Sequence, residues 1–159
     1  MSTNTVWTSI QGRELTAVRV YEAPRELVFR TWTEPGHLER WWGPQGFSLT
    51  TREIDVRPGG VWRYVMHGPD GTDYGNKITY REIAAPERIV YSHGDDEDDE
   101  QFRVTVTFAE RDGRTELTMR SVFRSAEELA YVAREYGAVE GARSTLDRLA
   151  ELLRELDRT

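Results

Sequence analysis

Polar and apolar positions along this chain follow two periods, and the switches between them mark out the elements. Residues 13–22 set Leu15, Ala17 and Tyr21 opposite Val18 and Val20, which predicts a strand. Beyond Ala23-Pro24 the apolar residues Leu27, Val28 and Trp32 recur at helical spacing, and Pro24 suits a first helical turn. Thr33 is expected to cap a second short helix, with Pro35 in its first turn and Leu38, Trp41 and Trp42 behind it, before Gly43-Pro44 stops it. From there to Phe123 the period is two. The expected strands are Phe47–Arg57, Val61–His67, Tyr74–Ile83 and Arg88–His93, followed by one bearing Phe102, Val104, Val106 and Phe108 and one bearing Leu117, Met119 and Phe123. Pro58-Gly59-Gly60, Gly68-Pro69-Asp70-Gly71 and Asp112-Gly113 supply the turns between them.

The period then lengthens again. Ser125, with Glu128 three residues on, starts a helix by a capping box. Val139, Ala142, Leu146, Leu149, Leu153 and Leu156 follow at alternating steps of three and four, an amphipathic helix of about five turns. This order describes one α+β domain over residues 1–159, with an antiparallel sheet, wet on one face, covering a long C-terminal helix.

Composition narrows the partners. The 38% hydrophobic residues provide a core of ordinary size for 159 residues, and with no cysteine there is no disulfide, thiolate metal site or thiol nucleophile. No apolar stretch is long enough to span a membrane, and Met1–Asn4 do not read as the start of a signal peptide, so a cytoplasmic protein is expected, with no membrane partner. The net charge of −7 comes largely from Asp95–Glu100; without that run 21 basic residues face 22 acidic ones. A nearly neutral body without a basic patch excludes nucleic acid as the expected partner. The run itself reads as a solvated, mobile hairpin loop, because it lacks the alternating acids and central glycine of a calcium loop.

Catalytic and metal signatures are sparse. His37, His67 and His93 form no His-x-x-x-His pair, and there is no nucleophile elbow or phosphate-cradling glycine loop, so no metal, cofactor or catalytic residue is assigned. Strand parity turns Arg63 and His67 away from the face that carries Trp62, Tyr64 and Met66. The aromatics say more. Trp32, Trp41, Trp42, Trp62, Tyr64, Tyr80, Tyr91 and Phe102 fall in or near elements whose apolar faces are expected to converge, and several carry an N–H or O–H that wants a partner when buried. A curved sheet closing over a helix with such residues favours a ligand pocket over a solid core.

Several segments, taken in order, carry a family resemblance over about residues 13–156. They are Arg19–Phe29, Trp41-Trp42-Gly43-Pro44, Asp55–Trp62 with its paired glycines, Pro86–Tyr91 and Gly113–Thr118. Together they resemble the SRPBCC superfamily, and within it the branch of homologues of the activator of a heat-shock chaperone ATPase. The resemblance implies a START-like helix-grip fold, an antiparallel sheet of six to seven strands gripping the C-terminal helix, with two short helices after the first strand. It also implies a cavity for a small hydrophobic molecule, in a stress-associated protein without catalysis. A cyclase- or hydrolase-type enzyme using the same cavity is the alternative, and a chaperone-interaction module the third reading; the chain is expected to be a monomer or homodimer. Relatives commonly carry Gly-Trp at the entry of the last helix where this chain has Gly141-Ala142, and an aromatic where it has His93. The expected cavity wall is Trp32, Trp62, Tyr64, Met66, Tyr80, Tyr91, His93, Phe102, Met119, Ala142 and Leu146.

Overall fold

A computed structural model describes residues 5–157; the Met1–Asn4 segment lies outside them, as do the last two residues. A hairpin of β1 (Trp7–Gln11) and β2 (Glu14–Tyr21) leads into two short helices, α1 (Arg25–Thr33) and α2 (Pro35–Trp41). Six strands follow: β3 (Ser48–Ile54), β4 (Val61–His67), β5 (Asp73–Ala84), β6 (Arg88–Gly94), β7 (Phe102–Arg111) and β8 (Arg114–Phe123). Helices α3 (Ala126–Tyr136) and α4 (Ala138–Asp157) complete the described chain. All neighbours pair antiparallel in one sheet of order β1-β2-β8-β7-β6-β5-β4-β3. The fold is the expected helix-grip α+β type.

The sheet has eight strands rather than six or seven. The additional strand, β1, lies on the edge with Trp7 and Ile10 exposed, so it carries little of the buried alternation that marks a strand in sequence. Its turn is Gly12-Arg13, with Gly12 in the left-handed region at φ 59°. The expected cap at Thr33 also moves. Thr33 closes α1 instead, its Oγ1 donating to the Phe29 carbonyl at 3.1 Å, and Glu34 takes the cap position of α2 without a side-chain bond. Ser125 does cap α3, accepting from Glu128 N at 3.0 Å.

Two irregularities bend the sheet, one between Thr51 and Glu53 on β3 and one between Tyr80 and Glu82 on β5. The concave face then holds α4 by its C-terminal half, where Leu146, Leu149, Ala150, Leu152 and Leu153 are all buried. Polar ties fix the helix from both sides. Tyr21 Oη donates to the Leu146 carbonyl at 2.9 Å, and Arg19 pairs with Asp147. On the other side the Arg148 guanidinium donates to the carbonyls of Arg40, Trp42 and Gly43, the unpaired C-terminal end of α2.

The acidic run makes hydrogen bonds within itself and ion pairs to the sheet. Asp95 Oδ1 accepts from the backbone N–H of Glu97 and Asp98, each at 2.9 Å. Arg63 pairs with Asp96 at 2.8 Å, Lys77 with Asp99 at 2.7 Å, and Arg124 with Asp98. Those cations come from strands β4 and β5 and from the end of β8, so the loop folds back over the sheet it connects. Its exposed pairs are screened by salt and individually contribute little.

Candidate functional site

A cavity of about 540 Å3 opens between the sheet and the first two turns of α4. Its cause is legible in α4 itself. Whereas the C-terminal half packs with leucines, the N-terminal half offers Ala138, Gly141, Ala142 and Thr145, too small to reach the sheet. The strands opposite contribute Tyr64 and Met66 (β4), Tyr74 and Asn76 (β5), Tyr91 and His93 (β6), Phe102 and Val104 (β7), and Met119, Ser121 and Phe123 (β8). Trp32, Trp41 and Trp42 close the end toward α1 and α2, and Val132, Glu135 and Tyr136 come from α3. Tyr74 and Tyr136, 39% and 64% exposed, mark the open side.

The walls are aromatic and tightly cross-packed. Trp42 meets Trp32, Trp41 and Trp62 at steep ring angles, with centroids 5.6, 5.3 and 5.2 Å away. Its Nε1 donates to Tyr64 Oη at 2.8 Å, which leaves the Tyr64 hydroxyl proton free to donate elsewhere. Burial pushes the phenols of Tyr64 and Tyr91 up from their ordinary range, so both stay protonated. His93 stacks on Phe102 at 4.8 Å, and Phe102 on Phe123 at 4.6 Å, a row of rings along one wall. The Trp32 indole N–H finds no acceptor among the described residues, enclosed by the rings of Trp41, Trp42 and Phe108.

Of the residues expected on the wall, Trp32, Tyr64, Met66, Tyr91, His93, Phe102, Met119 and Ala142 line the cavity. Trp62, Tyr80 and Leu146 do not. The Trp62 ring is packed against Tyr64 at 4.4 Å and is fully buried, Tyr80 stands 6.5 Å from Tyr91, and Leu146 is enclosed where α4 already meets the sheet. These three extend the core beneath the cavity. The residues not expected there include Asn76 and Ser121. Both hold inward strand positions, Asn76 in phase with Ile78 and Tyr80 and Ser121 between Met119 and Phe123, so a polar residue on an apolar face was the available signal. His67 lies outside, bonded to Thr50 and Asp73. Among the described residues no three His, Cys, Asp or Glu side chains gather as metal ligands, and no described helix is long and apolar enough to cross a membrane.

Burial holds the His93 imidazole neutral, bringing its pKa from 6.5 down to about 4. The sign of the consequence follows from proton counting. Between those values the unfolded chain binds a proton that the folded chain refuses, so stability is full above pH 6.5 and falls as the pH drops toward 4. Denaturant unfolding at pH 7 and pH 5 should show the wild type losing about 2 kcal/mol more than His93→Phe over that interval. Equal losses would mean that the folded protein protonates His93 freely.

The family described as Activator of Hsp90 ATPase homolog 1-like protein matches residues 22–154. Protein Ms6760 from Mycobacterium smegmatis is 30% identical in a crystal structure, with 96% of this chain and 98% of that one covered and a TM-score of 0.84. A protein from Arthrobacter aurescens, solved by NMR, is 27% identical over 97% and 93% of the two chains, also at 0.84. The AHSA1 protein from Silicibacter pomeroyi, at 23% identity, 89% and 97% coverage and a TM-score of 0.72, shares the fold. No curated protein matches the chain.

Proposed function

The chain belongs to the Activator of Hsp90 ATPase homolog 1-like family, and from that premise we propose that it binds a small apolar molecule in the cavity and holds it without turning it over. The observation that carries this reading is the aromatic-walled volume of about 540 Å3 under the small residues of α4, within the range that encloses compact organic ligands. Apolar wall atoms facing a void have no dispersion partners, and a ligand supplies them, with ~25 cal/mol gained per Å2 of apolar surface buried. Binding is favoured over catalysis by the company that His93 keeps. Its imidazole bonds to the Asn76 amide at 2.9 Å, which supplies neither a nucleophile nor a carboxylate for acid–base exchange.

Native mass spectrometry of freshly purified protein tests the proposal. A retained apolar small molecule, released unchanged on denaturation, is the expected result. A released molecule converted to a new mass on further incubation with the protein would contradict the non-catalytic reading.

A further inference from the structure

The neighbours of His93 determine which of its nitrogens carries the proton. Asn76 Nδ2 donates to the Tyr74 carbonyl at 3.0 Å, so its Oδ1 is the atom that faces His93, and it accepts from His93 Nε2 at 2.9 Å. Nε2 therefore bears the ring proton and Nδ1 is a bare acceptor. Nδ1 has no hydrogen-bond partner among the described residues and is not sealed within protein, and the ring forms part of the cavity wall. Tyr91, two residues earlier on the same strand face, likewise lines the cavity with a hydroxyl that bonds to no described residue. The cavity wall thus carries a bare acceptor on His93 and, at the neighbouring inward position with its ring centroid 6.5 Å away, the Tyr91 hydroxyl as a donor, with the Tyr64 hydroxyl a further donor on the same wall.

Building on the ligand-binding reading above, we propose that the cavity selects a neutral, flat aromatic alcohol whose hydroxyl donates to His93 Nδ1 and accepts from the Tyr91 hydroxyl. A hydroxyl is the small neutral group that satisfies both partners with one atom. A ligand without a donor leaves Nδ1 buried and unpaired, which costs affinity. Charge argues the same way. Among the described residues no Lys or Arg lines the cavity and the one carboxylate there, Glu135, is exposed, so an anion entering it would lose hydration without gaining a counter-ion. His93, Phe102 and Phe123 stack on one another with interplanar angles of 29° and 23°, so the row meets a ligand with ring edges, whose positive rim suits the π-face of a flat molecule.

The test is calorimetric titration of wild type and His93→Phe with 2-naphthol, 2-methoxynaphthalene and 2-naphthoate. Wild type should bind 2-naphthol about tenfold more tightly than the methyl ether, and the naphthoate more weakly than either. His93→Phe should retain the ether and lose most of the preference for the alcohol. A second readout needs no variant: the 15N resonance of His93 Nδ1 should shift with 2-naphthol and stay in place with the ether. Equal affinities for alcohol and ether, an unmoved Nδ1 resonance, or tightest binding of the naphthoate would overturn this inference and leave the apolar-cavity reading standing. Binding of none of the three would overturn both.

Discussion

Leu149→Ala should lower the free energy of unfolding by ~2–5 kcal/mol, the cost of lost transfer energy plus the void left behind. Leu149 is fully buried, between Leu146 and Leu153 on the face of α4 that the sheet holds. The helix there is tied on both sides, by Tyr21 and Arg19 on β2 and by the Arg148 bonds to the end of α2, so it has little freedom to collapse into the gap. Arg154→Ala, on the exposed face of the same helix, is the control and should change stability by less than about half a kcal/mol. Denaturant midpoints for the two variants decide the matter. If Leu149→Ala behaved like the control, the sheet would not be gripping α4.

The opposite half of α4 should respond in the opposite way. Ala142→Trp places an indole where the helix stands off the sheet, in the volume that the ligand is proposed to occupy. Apolar probe binding should weaken at least tenfold, while stability is maintained or rises as wall atoms gain partners. Calorimetric titration with 2-methoxynaphthalene and a melt of the free protein give both numbers. A loss of more than about 1 kcal/mol, as overpacking produces, would show that the space is already filled. Read together, the two substitutions separate a gripping half of the helix from a cavity-forming half.

That division was only half legible in the sequence. The leucines at 146, 149 and 153 announce the gripping face by spacing alone, and the strand parities of Trp62–Met66 and Phe102–Phe108 place the inward side chains correctly. Periodicity reports which side of an element is buried, and the buried side includes both cavity wall and solid core. Periodicity therefore assigns Trp62, Tyr80 and Leu146, inward residues all, to the wall, whereas they belong to the packed core. Distinguishing them requires the helix-to-sheet separation, which depends on the length of side chains two elements away. Strand β1 escaped for a different reason. An edge strand contributes backbone bonds to one neighbour and little side-chain burial, and its exposed Trp7 and Ile10 conceal the alternation. The ion pairs of the acidic loop needed tertiary proximity, since Arg63, Lys77 and Arg124 are far from it in sequence.

The central claim is that this volume takes an apolar molecule, and nuclear Overhauser contacts from a bound probe test it most directly. With 2-methoxynaphthalene added to isotope-labelled protein, saturable contacts should connect the naphthalene protons to the Ala142 methyl and to the rings of Tyr91 and Phe102, on opposite sides of the cavity. Contacts confined to the exposed rings of Tyr131 and Tyr136, or no saturable contacts at all, would contradict it.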